Sequence, residues 1–297
     1  MSKNKKSVFT GAATALVTPF RDGRVDYFAL KQLIDRQIAN GIDALVIAGT
    51  TGEASTLSDA EHRELLSRAI ELIGGRVPAI AGIGSNDTAH AVETTRFAAN
   101  LGYGAVLAVT PYYNKATDAG LIKSFTAIAD ASTCPVILYN VPTRTSCNIS
   151  LPVYRTLARH ENIVAVKEAS GNVSAVADLI CHCGDDLDVY SGNDDQTLPL
   201  LSLGGAGVIS VVSNVIPRQV SELCALWRQG DVAGARRVHE KYLLLMRAMF
   251  CEVNPIPVKT ALCLMGQCLG ELRLPLCEPE QKSLELIKKA LEDHALI

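Results

Sequence analysis

The segment Asn162–Ser170 combines a buried-strand pattern with a lysine near its end. Small or β-branched apolar residues fill Ile163–Val166, and Lys167 follows directly. An ammonium group on a dry strand is costly unless it is paired or readily loses its proton. A lysine with a lowered pKa is the nucleophile that forms Schiff bases with carbonyl substrates. This segment alone leaves three interpretations of Lys167 open: an amine that forms an imine, a side chain that reaches solvent, or one that pairs with Glu168. The polar groups elsewhere in the chain favour the imine.

Other polar groups follow neighbouring strand patterns. They occur in the segments Gly49–Glu53, Thr110–Asn114, Tyr139–Thr145 and Ser191–Asp194. In a barrel of parallel strands, the carboxyl ends of the strands and the loops after them build the active site. We therefore expect these hydroxyl, phenol, guanidinium and amine groups to converge on one rim.

Each group suits a step of imine chemistry. A phenol such as Tyr139, together with Thr50 and a second tyrosine, can move the protons that carbinolamine formation requires. Thr50 and Thr51 can donate hydrogen bonds to a substrate carboxylate, and the guanidinium group of Arg144 can bind a second carboxylate through two N–H donors. The pattern predicts a 2-keto acid substrate with an acidic partner. Taken singly, Thr50 could also cap a helix, Tyr139 could be a core tyrosine, and Arg144 could be a solvated loop charge.

Short apolar runs alternate with longer amphipathic runs as far as residue 228. The predicted strands are Ala12–Val17, Ala44–Ile47, Ala79–Ala81, Gly104–Ala108, Val136–Tyr139, Ile163–Lys167, Leu187–Tyr190 and Gly207–Val211. The predicted helices between them include Tyr27–Ala39, Ala60–Ile73, Ala89–Leu101, Gly120–Ala131 and Val173–Cys181. Strict alternation with continuously apolar strands is typical of a parallel sheet covered by helices.

The fold class predicted from this alternation is α/β, a (β/α)₈ TIM barrel with a C-terminal helical extension. Eight units over roughly 230 residues match that barrel in number and length. The rival, a doubly wound open sheet, would need a glycine-rich turn after its first strand. Thr18-Pro19-Phe20 stands there instead and offers no phosphate cradle.

Beyond Gly230 the alternation stops, and only helical patterns follow. They cover Asp231–Phe250, Pro255–Leu269 and Glu280–Leu296. We predict a catalytic barrel over residues 1–228 and a helical appendix over 229–297 that packs on it.

Composition excludes several partner classes. The chain has 297 residues, 48% of them hydrophobic, and a net charge of −3. This slightly negative net charge does not favour binding to nucleic acid or to anionic membranes. No apolar stretch reaches the ~18 residues of a membrane helix. The apolar run Val8–Phe20 is interrupted by threonines and lacks a cleavage site, so we expect no secretory signal.

The nine cysteines indicate neither a metal site nor disulfides. Cys181-His182-Cys183 has no second ligand pair at the spacing of a structural zinc site. Reduced thiols packed as small apolar residues are typical of a cytosolic protein. We therefore predict a cytoplasmic enzyme that acts on small molecules without a metal.

Three motifs together resemble one enzyme family. Gly49–Glu53, Tyr139–Pro142 and Val166–Ser170 are similar to the motifs of the dihydrodipicolinate synthase/N-acetylneuraminate lyase family of pyruvate-dependent class I aldolases. The similarity runs over essentially the whole chain, including the helical appendix. The resemblance implies that Lys167 forms the pyruvate imine and that no cofactor is needed. The further implied roles are a proton relay through Tyr139, Thr50 and Tyr113, a carboxylate site at Thr51, and a pocket lining at Gly192 and Ile209.

The synthase branch of the family is favoured by the paired Thr50-Thr51, by Arg144 and by Tyr113. That branch condenses pyruvate with L-aspartate 4-semialdehyde, giving 4-hydroxytetrahydrodipicolinate for diaminopimelate and lysine synthesis. Its members are usually homotetramers built from tight dimers, with a tyrosine at the position of Tyr113 reaching into the neighbouring site. The alternatives are a lyase for sialic acid or another 2-keto-3-deoxy acid, and a catalytically silent relative serving as sensor or scaffold.

Feedback inhibition by lysine is a separate question. The resemblance places a possible lysine site at Ala54, Ser55, Leu57, Asp59, His62, Asn86, His90 and Tyr112. His90 stands where many sensitive members carry a glutamate, and Asp59 stands where some carry histidine. Loss of that acid weakens charge complementarity to the lysine amine, although Asp59 could partly replace it. We expect weak or absent inhibition.

Overall fold

The computed structural model describes residues 5–297. Its strands are β1 (Gly11–Ala15), β2 (Phe20–Arg21), β3 (Arg24–Val25), β4 (Ala44–Ile47), β5 (Ala79–Gly82), β6 (Ala105–Val109), β7 (Val136–Asn140), β8 (Ile163–Glu168), β9 (Asp188–Ser191) and β10 (Gly207–Ser210). β2 and β3 form an antiparallel hairpin, and the other strands form a closed barrel in the order β1-β10-β9-β8-β7-β6-β5-β4. The predicted TIM barrel is confirmed.

Helices follow the barrel strands and continue beyond the last one. They are α1 (Tyr27–Ala39), α2 (Asp59–Ile73), α3 (Thr88–Asn100), α4 (Asp118–Asp130), α5 (Pro142–Thr145), α6 (Leu151–Leu157), α7 (Val173–Cys183), α8 (Thr197–Ser202), α9 (Pro217–Arg228), α10 (Val232–Ala248), α11 (Ile256–Leu264) and α12 (Gln281–Glu292). Short 3₁₀ helices cover Ala54–Thr56, Asp194–Gln196 and Val212–Asn214.

Most predicted elements are confirmed within a few residues, and β4 and α1 have the predicted bounds. The helix predicted over Pro255–Leu269 is wrong over its last five residues, because α11 ends at Leu264. Gly266 has φ +69°, its N–H donates to Cys263 O, and the N–H of Gln267 donates to Leu262 O. This pair of hydrogen bonds around a glycine in the left-handed conformation is a Schellman motif, which ends a helix. The apolar pattern beyond it belongs to a loop.

The chain packs as two compact units. One unit contains the described part of Met1–Gly11 together with Pro78–Ile209, and the other contains Ala12–Val77 together with Ser210–Ile297. The division into a barrel over 1–228 and an appendix over 229–297 stays a prediction, and residues 1–4 of that range lie outside those described.

In the first unit, β7 and β8 are buried along their whole length. Their parallel register pairs Tyr139 with Lys167 and Asn140 with Glu168. Successive side chains of a strand point to opposite faces, and register partners share a face. Tyr139 and Lys167 therefore lie on one face of the sheet, and Asn140 and Glu168 lie on the other.

In the second unit, a short turn and a 3₁₀ helix separate β4 from α2. Ser58 caps α2, accepting from the N–H of Glu61, while the Glu61 carboxylate accepts from the N–H of Ser58. This reciprocal capping box determines where α2 begins. Thr50 therefore does not cap α2, and its hydroxyl is not needed to begin that helix.

Candidate active site

Lys167 occupies the fifth position of β8 and is 5% exposed. Burial lowers its pKa to about 8; the negative charge of Asp194 opposes this shift and the positive charge of Arg144 adds to it. Nζ lies 4.4 Å from the centroid of the Tyr139 ring. Among residues 5–297, no carboxylate oxygen comes within ion-pair distance of Lys167. A lowered pKa gives this amine a larger neutral, nucleophilic fraction near neutral pH than an ordinary lysine has.

Glu168 does not pair with Lys167, so that alternative interpretation is wrong. Its carboxylate accepts hydrogen bonds from Asn140 Nδ2 at 3.0 Å, from the Tyr154 hydroxyl at 3.0 Å and from the N–H of Ser170 at 2.7 Å. The physical reason is strand alternation, which directs Glu168 to the face opposite Lys167. Escape of the lysine to solvent is also excluded by its burial.

Gly192 follows β9 and lies against the lysine side chain. Its N–H donates to Glu168 O at 2.7 Å. A Cβ at this position would meet Lys167 Cε at 3.2 Å and Ala169 Cβ at 2.7 Å. Both distances are shorter than ordinary contacts, so any side chain here would displace the lysine or the strand. Ile209, on β10, is fully buried.

Asp194 begins the 3₁₀ helix after β9 and is 2% exposed. It belongs to the segment Ser191–Asp194 expected at the rim, but no role was predicted for it. Its charge favours the ammonium form of Lys167 and moderates the lowering of its pKa. The sequence signal for such a role is an acidic residue in the loop that follows a barrel strand, the region where site residues occur.

Arg144 and Tyr113 are exposed residues of the same unit. Arg144 is exposed in α5, and its charge reaches Lys167, where it lowers the pKa. Tyr113 is 92% exposed and has φ +70°, a left-handed conformation that is uncommon for a bulky residue. The side chain of Tyr113 is therefore presented to the surface of this chain.

Thr50 and Thr51 lie in the second unit, in the turn after β4. The N–H of Glu53 donates to Thr50 O at 3.1 Å, and Thr18 Oγ1 donates to Gly52 O at 2.7 Å. Thr50 is half-buried. Thr51 is 2% exposed, and its hydroxyl accepts from Asn254 Nδ2 at 2.9 Å.

A buried ion pair follows this turn, and it was not predicted. Glu53 Oε1 accepts from Lys259 Nζ at 2.6 Å, and both side chains are 0% exposed. Lys259 Nζ also lies 4.1 Å from the centroid of the Phe20 ring. The signal that could have found the pair is Lys259 itself, the one charged residue of the apolar helix α11.

The residues of the possible lysine site are divided between the units. Ala54, Ser55, Leu57, Asp59 and His62 belong to the second unit, and Asn86, His90 and Tyr112 belong to the first. Asp59 is exposed at the start of α2, His90 is half-buried on α3, and Tyr112 is 37% exposed. Their role in binding lysine stays a prediction.

Cys181 and Cys183 both lie on α7, where Cys181 is exposed and Cys183 is buried. Within residues 5–297, no three His, Cys, Asp or Glu side chains lie together as a metal site would require. Over the same residues, no helix has the length and apolarity needed to cross a membrane.

Comparison with known proteins identifies the family. The model of the Dihydrodipicolinate synthetase family matches residues 8–294. The chain belongs to this family. One member, the 4-hydroxy-tetrahydrodipicolinate synthase of Acetivibrio thermocellus, is 49% identical over 293 residues, which is 99% of this chain and 100% of that protein. The match over both full lengths includes the segment beyond the barrel strands.

Solved structures from the dihydrodipicolinate synthetase family have the same fold. The chloride-inhibited dihydrodipicolinate synthase of Acinetobacter baumannii, complexed with pyruvate, has a TM-score of 0.95 and 42% identity, covering 97% of this chain and 99% of that one. A monomeric dihydrodipicolinate synthase variant has a TM-score of 0.95 and 41% identity, covering 98% of each chain.

Proposed function

We propose that the protein is a 4-hydroxy-tetrahydrodipicolinate synthase, which condenses pyruvate with L-aspartate 4-semialdehyde. The observation that carries this proposal is the buried Lys167 amine, with a pKa near 8 and no carboxylate bonded to it within residues 5–297. Membership of the family supports the choice of substrates.

The reaction begins when the Lys167 amine adds to the keto carbon of pyruvate and water leaves, forming an imine. Loss of a proton from the methyl group gives an enamine, with the imine nitrogen as electron sink. The enamine carbon attacks the aldehyde of the second substrate. The amine of the semialdehyde then displaces Lys167, closing the ring and regenerating the free lysine. No cofactor enters any of these steps.

The proton transfers are assigned to Tyr139, Thr50 and Tyr113. Tyr139 is the register partner of Lys167, and its ring lies beside Nζ, which supports its role as the first member of the relay. Thr51 holds the pyruvate carboxylate, and Arg144 holds the carboxylate of the semialdehyde. Gly192 and Ile209 line the pocket, Gly192 by leaving space beside Lys167.

The decisive test is reduction with sodium borohydride in the presence of pyruvate, followed by peptide mass mapping. We expect one modified lysine, Lys167. Lys259 is the matched internal control, because it is also buried but is bonded to Glu53. Absence of label at Lys167, or equal label at Lys259, would overturn the assignment of the nucleophile.

An assay with candidate partners separates the branches of the family. A synthase consumes pyruvate only when L-aspartate 4-semialdehyde is supplied. Cleavage of N-acetylneuraminate or another 2-keto-3-deoxy acid, without use of the semialdehyde, would identify a lyase. Imine trapping without turnover of either substrate would indicate a silent relative.

The oligomer is assigned as a tetramer of tight dimers, in which Tyr113 completes the relay of a neighbouring site. The exposure of the Tyr113 ring and its left-handed backbone support a role outside its own chain. We expect Tyr113→Phe to lower turnover sharply without changing the melting temperature. Light scattering tests the assembly; an active monomer with normal turnover in Tyr113→Phe would contradict both statements.

Two further assignments complete the proposal. All nine cysteines are free, which supports a cytoplasmic location. We also propose that lysine inhibits weakly or not at all, because by resemblance His90 stands at the position where many sensitive members carry a glutamate. A coupled assay with lysine tests this assignment, and inhibition at micromolar concentration would refute it.

A further inference from the structure

Asn254 connects the chain before α11 to the turn that carries Thr51. It is 5% exposed, and its Nδ2 donates to Thr51 Oγ1 at 2.9 Å in a buried environment. A hydroxyl has one hydrogen to donate and lone pairs that accept. Because Thr51 Oγ1 accepts from Asn254, the hydroxyl hydrogen is directed away from Asn254. Within residues 5–297, it meets no protein acceptor.

The C-terminal segment also contacts this turn at Glu53, two residues after Thr51. Lys259 Nζ donates to Glu53 Oε1 at 2.6 Å, and the N–H of Arg273 donates to Glu53 Oε2 at 3.2 Å. Glu53 has φ +54°, a left-handed conformation that a non-glycine residue keeps only when its surroundings hold it. The turn is therefore held by contacts from residues that lie outside the barrel strands.

We propose that Asn254 is a positioning residue for the substrate carboxylate: by donating to Thr51 Oγ1, it makes the Thr51 hydroxyl a donor toward that carboxylate. The inference rests on the proposed function, which assigns the pyruvate carboxylate to Thr51. Asn254 itself makes no contact with the substrate in this arrangement. Lys259 and Glu53 keep the turn in the conformation that places the hydroxyl.

Replacement by aspartate reverses the polarity of this hydrogen bond. Asn254→Asp has nearly the same shape but cannot donate when ionised, and its carboxylate accepts the hydrogen of the Thr51 hydroxyl. Because the hydrogen bond to the charged substrate carboxylate is lost, we expect the half-saturating pyruvate concentration for borohydride trapping to rise roughly 10- to 100-fold. Asn254→Ala, which leaves the hydroxyl free to rotate, should raise it by a smaller factor.

A double-mutant cycle separates positioning from a general structural effect. Thr51→Val removes the hydroxyl and keeps the shape of the side chain. If Asn254 acts through that hydroxyl, Asn254→Ala has no further effect on half-saturation in the Thr51→Val background. The same factor in both backgrounds would overturn the proposal.

Asn162→Ala is the matched control, because within residues 5–297 Asn162 Nδ2 donates to the backbone carbonyls of Ala129 and Ser132 and to no side chain. It should leave the pyruvate dependence of trapping unchanged. For the Asn254 variants, the KM for pyruvate should rise while the KM for the semialdehyde stays within about twofold. Melting temperatures identify variants that fail to fold. If the Asn254 variants do not fold, Thr51→Val tests the proposal instead: a normal half-saturating pyruvate concentration in that variant refutes the role of the hydroxyl.

Failure of this inference is distinguishable from failure of the proposed function. If the unmodified protein is not labelled at Lys167, the proposed function fails. If it is labelled and Asn254→Asp has the pyruvate half-saturation of the parent, only the role of Asn254 is refuted.

Discussion

Lys167 and Lys259, one in each compact unit, are 5% and 0% exposed, and each Nζ lies over an aromatic ring. The ring is Tyr139 for Lys167, at 4.4 Å, and Phe20 for Lys259, at 4.1 Å. Lys259 donates to Glu53 at 2.6 Å, whereas Lys167 has no ion pair within residues 5–297. The two environments differ chiefly in the presence of a bonded carboxylate.

Burial lowers the pKa of both lysines, because it disfavours the ammonium form. Glu53 opposes that effect at Lys259 through both its charge and its hydrogen bond. At Lys167 only the more distant charge of Asp194 opposes it, and the pKa falls to about 8. Burial therefore does not by itself distinguish the two lysines; the bonded carboxylate of Glu53 favours the ammonium form of Lys259, and Lys167 lacks such a partner within residues 5–297.

The largest expected effect comes from Lys167→Met. Removal of the amine should lower turnover by at least about a thousandfold and abolish borohydride trapping. Stability should rise, by up to about 3 kcal/mol at pH 7, because the cost of burying an ammonium disappears. Steady-state assays and chemical denaturation measure the two effects. A variant that keeps turnover, or that loses stability, would break the comparison.

Lys259→Met should have the opposite effect on stability, lowering it. It leaves the Glu53 carboxylate buried without its partner, which costs about 3–5 kcal/mol. Adding Glu53→Gln removes that charge, so the double variant should recover much of the lost stability. Urea denaturation of both variants tests this pair. Equal stability of the single variant and the parent would show that the ion pair has no structural role.

Tyr139→Phe tests the ring beside the reactive lysine. The ring and its packing remain, but the phenol that moves protons is lost, so turnover should fall by about a hundredfold or more. The melting temperature should change little. Phe20→Leu is the comparison at Lys259, where loss of the ring should lower stability by ~1–2 kcal/mol. Unchanged turnover in Tyr139→Phe would remove this residue from the relay.

The pH dependence gives the smallest but sharpest test. The folded pKa of Lys167, about 8, lies below its ordinary value of 10.5. The destabilisation is therefore complete below pH 8 and disappears as the pH rises from about 8 to 10.5. Over that window, the stability difference between Lys167→Met and the parent should shrink. The trapping rate at limiting pyruvate should rise up to pH 8 and then level off; a rise that continues beyond pH 10 would place the pKa at its ordinary value.

Much of the first unit could be predicted because its signals are local. The apolar run before Lys167 predicts a buried strand, and the lysine at its end predicts a costly buried amine.

The Schellman cap at Gly266 was missed, because an apolar pattern continues past the glycine and periodicity alone does not register the change of backbone conformation. Asp194 lies in a segment expected at the rim, but its effect on Lys167 was missed because that effect depends on distance, not on spacing in the chain.

The sequence by itself determined the alternation of strands and helices, and with it the barrel, the burial of Lys167 and the position of Thr50 and Thr51 after a strand. Only the tertiary structure decided the partners: Glu168 bonds Tyr154 instead of its neighbour Lys167, and Lys259 bonds Glu53 across a wide separation in the chain. The physical reason is that local patterns report burial, which depends on periodicity. Pairing of charges depends on which residues the folded chain brings within about 3 Å, a hydrogen-bond distance.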